Sequence, residues 1–253
     1  MRWGSNPSTM SPGPWCRAAS KAGCRSPTGS PPATARRWRA LFLGLTLVGL
    51  AMEAHRSSRP ASGADHQIAH LWEMDDLHHN GERVSHGACV AVGAMAALRM
   101  FDWLLARDLT ALDPARRAAE APTLAAKEAE IRARFGPGEI AERAIEETRA
   151  KHVEGAALQA RLTRLRDIWP DLSARLRARL WPAERMANHL ARAGAPVEAA
   201  DIGVDPAYLH RTILKARFLR SRYTVLDLLD EVGLLDHAAL AALPQTLQSK
   251  VGT

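Results

Sequence analysis

Apolar and polar positions follow a helical period over most of the chain. Between Ser62 and Ala242, apolar residues recur every three or four positions, as they do along one face of an α-helix. No run of alternating β-branched residues stands out, so the pattern predicts an all-α fold. Breaks marked by proline or glycine fall at 114, 122, 136–138, 170, 182, 196 and 206. The predicted helices span 38–55, 63–78, 85–107, 122–135, 139–150, 154–168, 170–180, 182–193, 205–221 and 223–233.

The N-terminal residues have a different composition. Residues 1–36 are rich in Ser, Pro and Gly, carry scattered Arg and Trp, and show no apolar period. Such a segment buries too little apolar surface to offset the entropy of ordering, so we expect it to be disordered. The domain organisation predicted is therefore a disordered basic segment, 1–36, followed by one all-α domain, 37–253.

The junction of these two parts reads ARRWRALFLGLTLVGLAMEA. Basic residues followed by an apolar run are typical of a signal peptide. The apolar run is short for a membrane span, lies late in the chain, and is followed by a poor cleavage site. The sequence therefore favours a buried core helix over a signal or a membrane span.

Charge and cysteine content narrow the function classes. The net charge is +7, but residues 1–52 hold seven of the 34 Lys and Arg and no Asp or Glu. The remaining 27 basic residues balance all 27 acidic ones, so the predicted domain has no bulk attraction for nucleic acid or an anionic membrane. The three cysteines, Cys16, Cys24 and Cys89, form neither a metal motif nor a disulfide framework, which favours a cytoplasmic protein.

Histidines are concentrated in one window. His66 and His70 are four residues apart on a predicted helix and share one face. His86 opens the Gly- and Ala-rich helix VSHGACVAVGAMAAL, whose small residues let a backbone or a ligand approach closely. Neutral imidazoles from two helices can bind a divalent metal, whereas packing or capping is the alternative. His78 and His79, beside Asn80-Gly81, are expected to be turn residues. The window holds His55, His66, His70, His78, His79 and His86.

The same window resembles a known signature. SSRPASGADHQIAHLWEM followed by GERVSHGACVAVG is similar to the sn-glycerol-1-phosphate dehydrogenases, within the superfamily of iron-containing alcohol dehydrogenases and dehydroquinate synthases. The similarity begins near Arg39 and continues to RTILKARFLRSRYTVLDLLDEVGLL. It implies the helical C-terminal half of that fold, which in the family packs against an N-terminal α/β domain that binds NAD(P).

The resemblance also implies site residues. In the family a divalent metal, zinc or nickel, binds one Asp and two His, and the histidines correspond to His66 and His86. His70 corresponds to a further histidine that lines the site. Ser58 and Arg59 are placed to meet a phosphorylated substrate, although Arg59 could instead cap a helix or pair with Asp65. The implied reaction is reversible hydride transfer between NAD(P)H and dihydroxyacetone phosphate, so the partner is a phosphorylated triose or glycerol.

The sequence departs from the family upstream of residue 39. No strand, Gly-rich loop and helix unit occurs there, and no Asp matches the third metal ligand, because the first acidic residue is Glu53. We therefore expect a chain without the α/β domain, N-terminally truncated and inactive alone, whose first residues are either a basic leader or an out-of-frame translation. The alternative is a non-enzymatic helical remnant that binds a metal or a partner. Homo-oligomers are a further expectation, because a cleft-lining apolar face would be exposed.

Overall fold

The computed structural model describes residues 33–243. The disorder expected for the N-terminal segment falls mostly on residues 1–32, which lie outside the described residues. Backbone contacts divide the chain into two units, Met1–Arg56 and Ser57–Thr253, which are taken in turn.

The described part of the first unit is one helix, α1 (Ala33–His55). This confirms the predicted helix, which begins five residues earlier than expected, but the prediction that it is buried is wrong. Phe42 is 74% exposed and Trp38 is 60% exposed. The helix is apolar on every face, so periodicity could not indicate a covered side. The other exposed large apolar residues of α1 are Leu41, Leu43, Leu45, Leu47, Val48 and Leu50.

The second unit is helical apart from one hairpin, which confirms the all-α class. Its helices are α2 (Ala64–Met74), α3 (His86–Leu105), α4 (Pro114–Glu120), α5 (Leu124–Phe135), α6 (Glu139–Arg149), α7 (Gly155–Arg179), α8 (Ala183–Arg192), α9 (Pro206–Ala216), α10 (Val225–Glu231) and α11 (Leu235–Ala241). Two 3₁₀ turns, Leu109–Ala111 and Ala199–Ile202, connect α3 to α4 and α8 to α9.

Two prolines show how the effect of this residue depends on its position. Pro114 marks a break, as predicted, and begins α4, a helix that the sequence did not predict, with Asp113 as the N-cap, because a first-turn proline lacks only an N–H that would have no helical partner. Pro170 lies inside α7, so the predicted division between 168 and 170 is wrong. The adjoining Trp169 is buried and its indole N–H donates to the carbonyl of Arg107 at 3.3 Å, which holds the helix across the proline.

The hairpin joins α2 to α3. Strands β1 (His78–His79) and β2 (Glu82–Arg83) are antiparallel, with His79 opposite Glu82. Asn80 and Gly81 have φ values of 52° and 81°, as a type I′ turn requires. His78 and His79 are therefore strand residues beside the turn, which corrects the expectation that they form it.

Helices α2 and α3 form the centre of the core. Ile68 and Trp72 of α2 and Met100 and Leu104 of α3 have no exposed surface. The Trp72 indole N–H donates to the Thr212 hydroxyl at 3.1 Å and so attaches α2 to α9. Among the described helices only α3 is long and apolar enough to cross a membrane, and 44% of that stretch is buried in the protein. Its central position accounts for its composition.

Candidate metal centre

Three histidines from α2 and α3 meet at one site. His66 and His70 lie one turn apart on α2, and His86 is the first residue of α3. The ring centroids are 6.0 Å apart for His66 and His70, 5.5 Å for His66 and His86, and 5.9 Å for His70 and His86. The structure thus brings together the histidines that the sequence singled out.

Close packing of α2 on α3 makes this meeting possible. A Cβ atom built on Gly93 of α3 would lie 2.4 Å from the backbone oxygen of Asp65, the residue before His66. Only glycine allows the two backbones to approach so closely. This confirms the expectation that small residues in this helix admit another backbone.

Local contacts orient each helix at the site. The Ser85 hydroxyl accepts a hydrogen bond from the backbone N–H of Ala88 at 3.2 Å and caps α3 just before His86. On α2, Ile68 and Trp72 face the core, whereas His66, His70 and Glu73 follow each other at spacings of four and three. Those spacings place the three side chains on one face of the helix.

Two carboxylates contact the three imidazole rings, in each case at the Nδ1 atom. Glu73 accepts from Nδ1 of His70 at 2.9 Å and also from Nδ1 of His86. Asp65 contacts Nδ1 of His66 at 2.8 Å. When an ionised carboxylate accepts from Nδ1–H, the neutral ring carries its lone pair on Nε2. All three rings are therefore held in the tautomer whose Nε2 can bind a metal, the arrangement common around metal-ligating histidines.

The electrostatics keep Glu73 ionised. Burial raises the pKa of this carboxyl, but hydrogen bonds from His86 and His70 lower the pKa further, so the net shift is downward. The neighbouring Cys89 is buried, and burial together with the Glu73 charge raises the pKa of its thiol to about 11. The free thiol of Cys89 therefore stays protonated at neutral pH.

The residues present fit a divalent transition metal. Within the described residues, the group of possible ligands that lie close enough together is His70, Glu73 and His86, with one ligand atom each, all within 4.8 Å of one another; it contains the predicted ligand His86 but not His66, and in it Glu73 would be a ligand instead of an orienting partner. Imidazole nitrogens with a carboxylate suit zinc or nickel better than calcium or magnesium. The sequence analysis missed Glu73, although it follows His66 by seven residues, a spacing that places both side chains on the same face of a helix. The assignment of His66 and His86 as the ligands remains a prediction.

The loop before α2 carries the other expected site residues. The Ser58 hydroxyl accepts from Nη2 of Arg222 at 3.0 Å, and Nη1 of Arg222 donates to the carbonyl of Ser62. The backbone N–H of Arg59 donates to the Ser57 hydroxyl at 3.3 Å. Arg222 was not predicted as a site residue, because it follows Ser58 by 164 residues and no local pattern joins the two.

Comparison with known proteins adds to this geometry. The chain is 25% identical over 201 residues to a glycerol-1-phosphate dehydrogenase [NAD(P)+] of Geobacillus stearothermophilus. A protein of the same name from Bacillus licheniformis is 25% identical over 195 residues, and one from Halalkalibacterium halodurans is 44% identical over 57 residues. The chain resembles the glycerol-1-phosphate dehydrogenase family. This confirms the resemblance found in the histidine motifs.

The matches to glycerol-1-phosphate dehydrogenases cover unequal shares of the two chains. The Geobacillus alignment takes in 77% of this chain and 39% of the relative's length, and the Bacillus licheniformis alignment takes in 77% and 35%. This chain thus spans well under half of those relatives. No family model matches the chain, and no solved structure matches it.

Proposed function

We propose that this chain is the helical, metal-binding part of an NAD(P)-dependent sn-glycerol-1-phosphate dehydrogenase. The reaction would transfer a hydride reversibly between NAD(P)H and dihydroxyacetone phosphate, in the cytoplasm. The observation that carries the proposal is that His66, His70 and His86 meet beside carboxylates that orient their rings, within motifs that resemble the signature of the dehydrogenases. Neither nucleic acid nor membrane enters the proposed activity.

The proposed roles follow from the contacts of each residue. His66 and His86 would hold a zinc or nickel ion, with Asp65 and Glu73 fixing their tautomers. A bound ion of this kind acts as a Lewis acid that polarises a carbonyl and stabilises a developing alkoxide. His70, one-third exposed and oriented by Glu73, would contact the substrate beside the metal. Ser58 and Arg59 would contact its phosphate.

The dinucleotide is the part of this reaction that the described residues do not explain. Residues 33–243 contain no parallel sheet and no glycine loop between a strand and a helix. NAD(P) supplies the hydride in such reactions, and its pyrophosphate is ordinarily held by a unit of that type. We therefore expect the chain alone to bind metal and not to oxidise NADH with dihydroxyacetone phosphate.

The experiment measures metal content and turnover on the same purified chain. His66→Ala and His86→Ala should each lower bound zinc or nickel to less than half of the wild-type level, measured by mass spectrometry of the ion. His237→Ala is the matched control, because His237 is exposed and distant in sequence from the site. Glu73→Gln should weaken metal binding by about tenfold, the usual effect of losing an orienting partner.

Each outcome of the metal experiment has a definite meaning. Equal metal content in His66→Ala, His86→Ala and His237→Ala would show that the proposed site is wrong. Metal lost from His70→Ala but retained by His66→Ala would move the ligand set to His70, Glu73 and His86. Clear NADH oxidation by the wild-type chain would contradict our account of the dinucleotide.

A second candidate function rests on α1. This helix exposes large apolar side chains between Trp38 and Leu50, a surface typical of an interaction site. The alternative is therefore a non-enzymatic helical module that binds a metal or a protein partner, including a second copy of itself. Oligomers in light scattering, together with metal binding and no turnover even after supply of a dinucleotide-binding partner, would favour this alternative.

A further inference from the structure

Helices α5 and α6 are held together by a small apolar core of their own. Phe218, which follows α9, also belongs to this core. The larger core around α2 and α3 is a separate cluster, and Phe135 at the end of α5 packs against both. The boundary between the two clusters is therefore a place where polar side chains can lie. The buried members of the small core are Ile131, Ala141, Ala144, Ile145 and Phe218.

Charged side chains cross this boundary in pairs. The pairs are Lys127 with Asp230 at 2.6 Å, Lys151 with Asp227 at 2.6 Å, and Arg217 with Glu130 at 2.8 Å. In each pair one residue lies on α5 or directly after α6, and the other lies on α10 or directly after α9. The pairs are largely shielded from solvent. Charges removed from water in this way are stable only when their remaining donors and acceptors also have partners.

A cavity of about 20 Å³ lies among these ion pairs. One water molecule needs about 10–15 Å³ by the same measure, so the cavity can hold a single water-sized molecule and is too small for a metabolite. The fixed charges of its walls balance, because three cationic side chains and three carboxylates line it. These are the cations Lys127, Lys151 and Arg217 and the carboxylates of Asp227, Asp230 and Glu231. The balance favours an uncharged occupant over an ion.

Two buried side chains that line the cavity each have one polar atom without a hydrogen bond. Within the described residues, neither Oγ1 of Thr148 nor Nε of Arg217 has a partner, and Thr148 is 3% exposed and Arg217 7%. The other nitrogens of Arg217 are occupied, because Nη1 donates to the carbonyl of Leu214 at 2.5 Å and Nη2 to Glu130 at 2.8 Å. Nε lies 3.4 Å from Oδ1 of Asp230, an ion-pair contact without the alignment of a hydrogen bond. Because a buried donor without a partner is destabilising, both atoms need a partner inside the cavity.

The chemistry of these two atoms favours water over other small occupants. Nε of Arg217 can only donate a hydrogen bond, whereas the Thr148 hydroxyl can donate or accept one. An ammonium ion could not accept from Nε, and a halide ion would add a negative charge beside the carboxylates of Asp227 and Asp230. A water molecule can accept from Nε and still donate to the hydroxyl or to a carboxylate. Buried waters typically make about three such bonds, which these walls can supply.

We propose that the cavity binds one structural water molecule, which bridges Nε of Arg217 and the hydroxyl of Thr148. Thr148 lies on α6 and Arg217 directly after α9, so the bridge holds the pair α5 and α6 to the other helices alongside the ion pairs. None of the described residues that line the cavity belongs to the candidate metal centre. The water site therefore does not depend on the proposed dehydrogenase function.

The test counts the long-lived water molecules of the full chain by magnetic relaxation dispersion of isotopically labelled water. Thr148→Val has nearly the same shape but no hydroxyl, so it should lower the count by about one molecule. Thr148→Ser keeps the hydroxyl and should keep the count of the wild type. Thr163→Val is the matched control, because the Thr163 hydroxyl donates to the carbonyl of Gln159 in its own helix at 2.9 Å.

An unchanged water count in a folded Thr148→Val would overturn the proposal, as would an equal loss in Thr163→Val. Chloride NMR on the same samples detects an anion in place of water. Line broadening that disappears in Thr148→Val would mean that the cavity takes chloride, and would also overturn the proposal. If Thr148→Val does not fold, a crystal structure of the wild-type chain decides: electron density for a water oxygen about 3 Å from both atoms is expected, and its absence would contradict the bridge.

Discussion

Gly93 is the position where a single methyl group should change both stability and the metal site. It lies within α3, and a Cβ atom there would be 2.4 Å from the backbone oxygen of Asp65 on α2. An ordinary carbon–oxygen contact is about 3.3 Å, so Gly93→Ala requires a separation of about 0.9 Å between the two backbones. The obstacle is backbone rather than a flexible side chain, so rotation of a side chain cannot relieve it.

The same helix supplies a control that isolates this effect. Gly87 also lies in α3, next to His86, and a Cβ atom there would meet nothing within 4 Å. Gly93→Ala, inside the helix, gains the helix propensity of alanine, about 0.5–1 kcal/mol, whereas Gly87→Ala, in the first turn, gains no more than this. The stability that Gly93→Ala loses relative to Gly87→Ala is therefore a lower bound on the overpacking at Gly93, for which about 1–3 kcal/mol is expected. For a chain of this size the difference corresponds to roughly 2–4 °C in Tm per kcal/mol.

The assay combines thermal unfolding with a zinc titration of both variants. Gly93→Ala should unfold at a lower temperature than Gly87→Ala and bind zinc more weakly, because His66 and His70 move with α2 while His86 stays on α3. Equal melting temperatures and equal zinc affinities in the two variants would refute the close approach of the helices. Lower stability with unchanged zinc affinity would refute only the coupling between helix spacing and the metal site.

Two further predictions concern buried polar contacts away from the histidines. Asp230 pairs with Lys127 at 2.6 Å and with Arg217 at 3.4 Å. Burial raises the pKa of the Asp230 carboxyl, but these two cations lower it by more, so its net shift is downward. The ionised carboxylate of Asp230 therefore stabilises the fold at any pH above the pKa that it has in the unfolded chain. That stabilisation is lost as the pH falls through the lower pKa that it has in the folded chain. Asp230→Asn should lower the free energy of unfolding by about 3 kcal/mol at neutral pH. When the pH is lowered from about 7 to about 3, urea unfolding should show that this variant loses less of its free energy of unfolding than the wild type does. Thr212→Val should cost about 1–3 kcal/mol, because it leaves the buried indole N–H of Trp72 without its acceptor, and a variant as stable as the wild type would contradict that bond.

Helices were predictable from the sequence where local spacing alone decides them. Helix α6 was expected over 139–150 and spans Glu139–Arg149, because its apolar residues lie on one clear stripe. Prolines were less informative, because their effect depends on their position within a helix. Pro114 opens α4, whereas Pro170 is accommodated inside α7 beside the buried Trp169.

The exposure of α1 shows a second limit. A helix that is apolar on all sides is predicted to be buried, but whether it is buried depends on which other segments pack against it. Residues within the helix therefore predict that it forms and cannot predict what covers it.

The candidate site divides in the same way. That His66 and His70 share a face was determined by the sequence, since a spacing of four residues has that meaning in any α-helix. That His86 joins them, that Glu73 holds two of the rings, and that Arg222 reaches Ser58 were decided by the tertiary structure. The physical reason is that spacing along a helix is set by local backbone geometry, whereas these meetings require the packing of α2 on α3 at Gly93 and the folding together of distant segments.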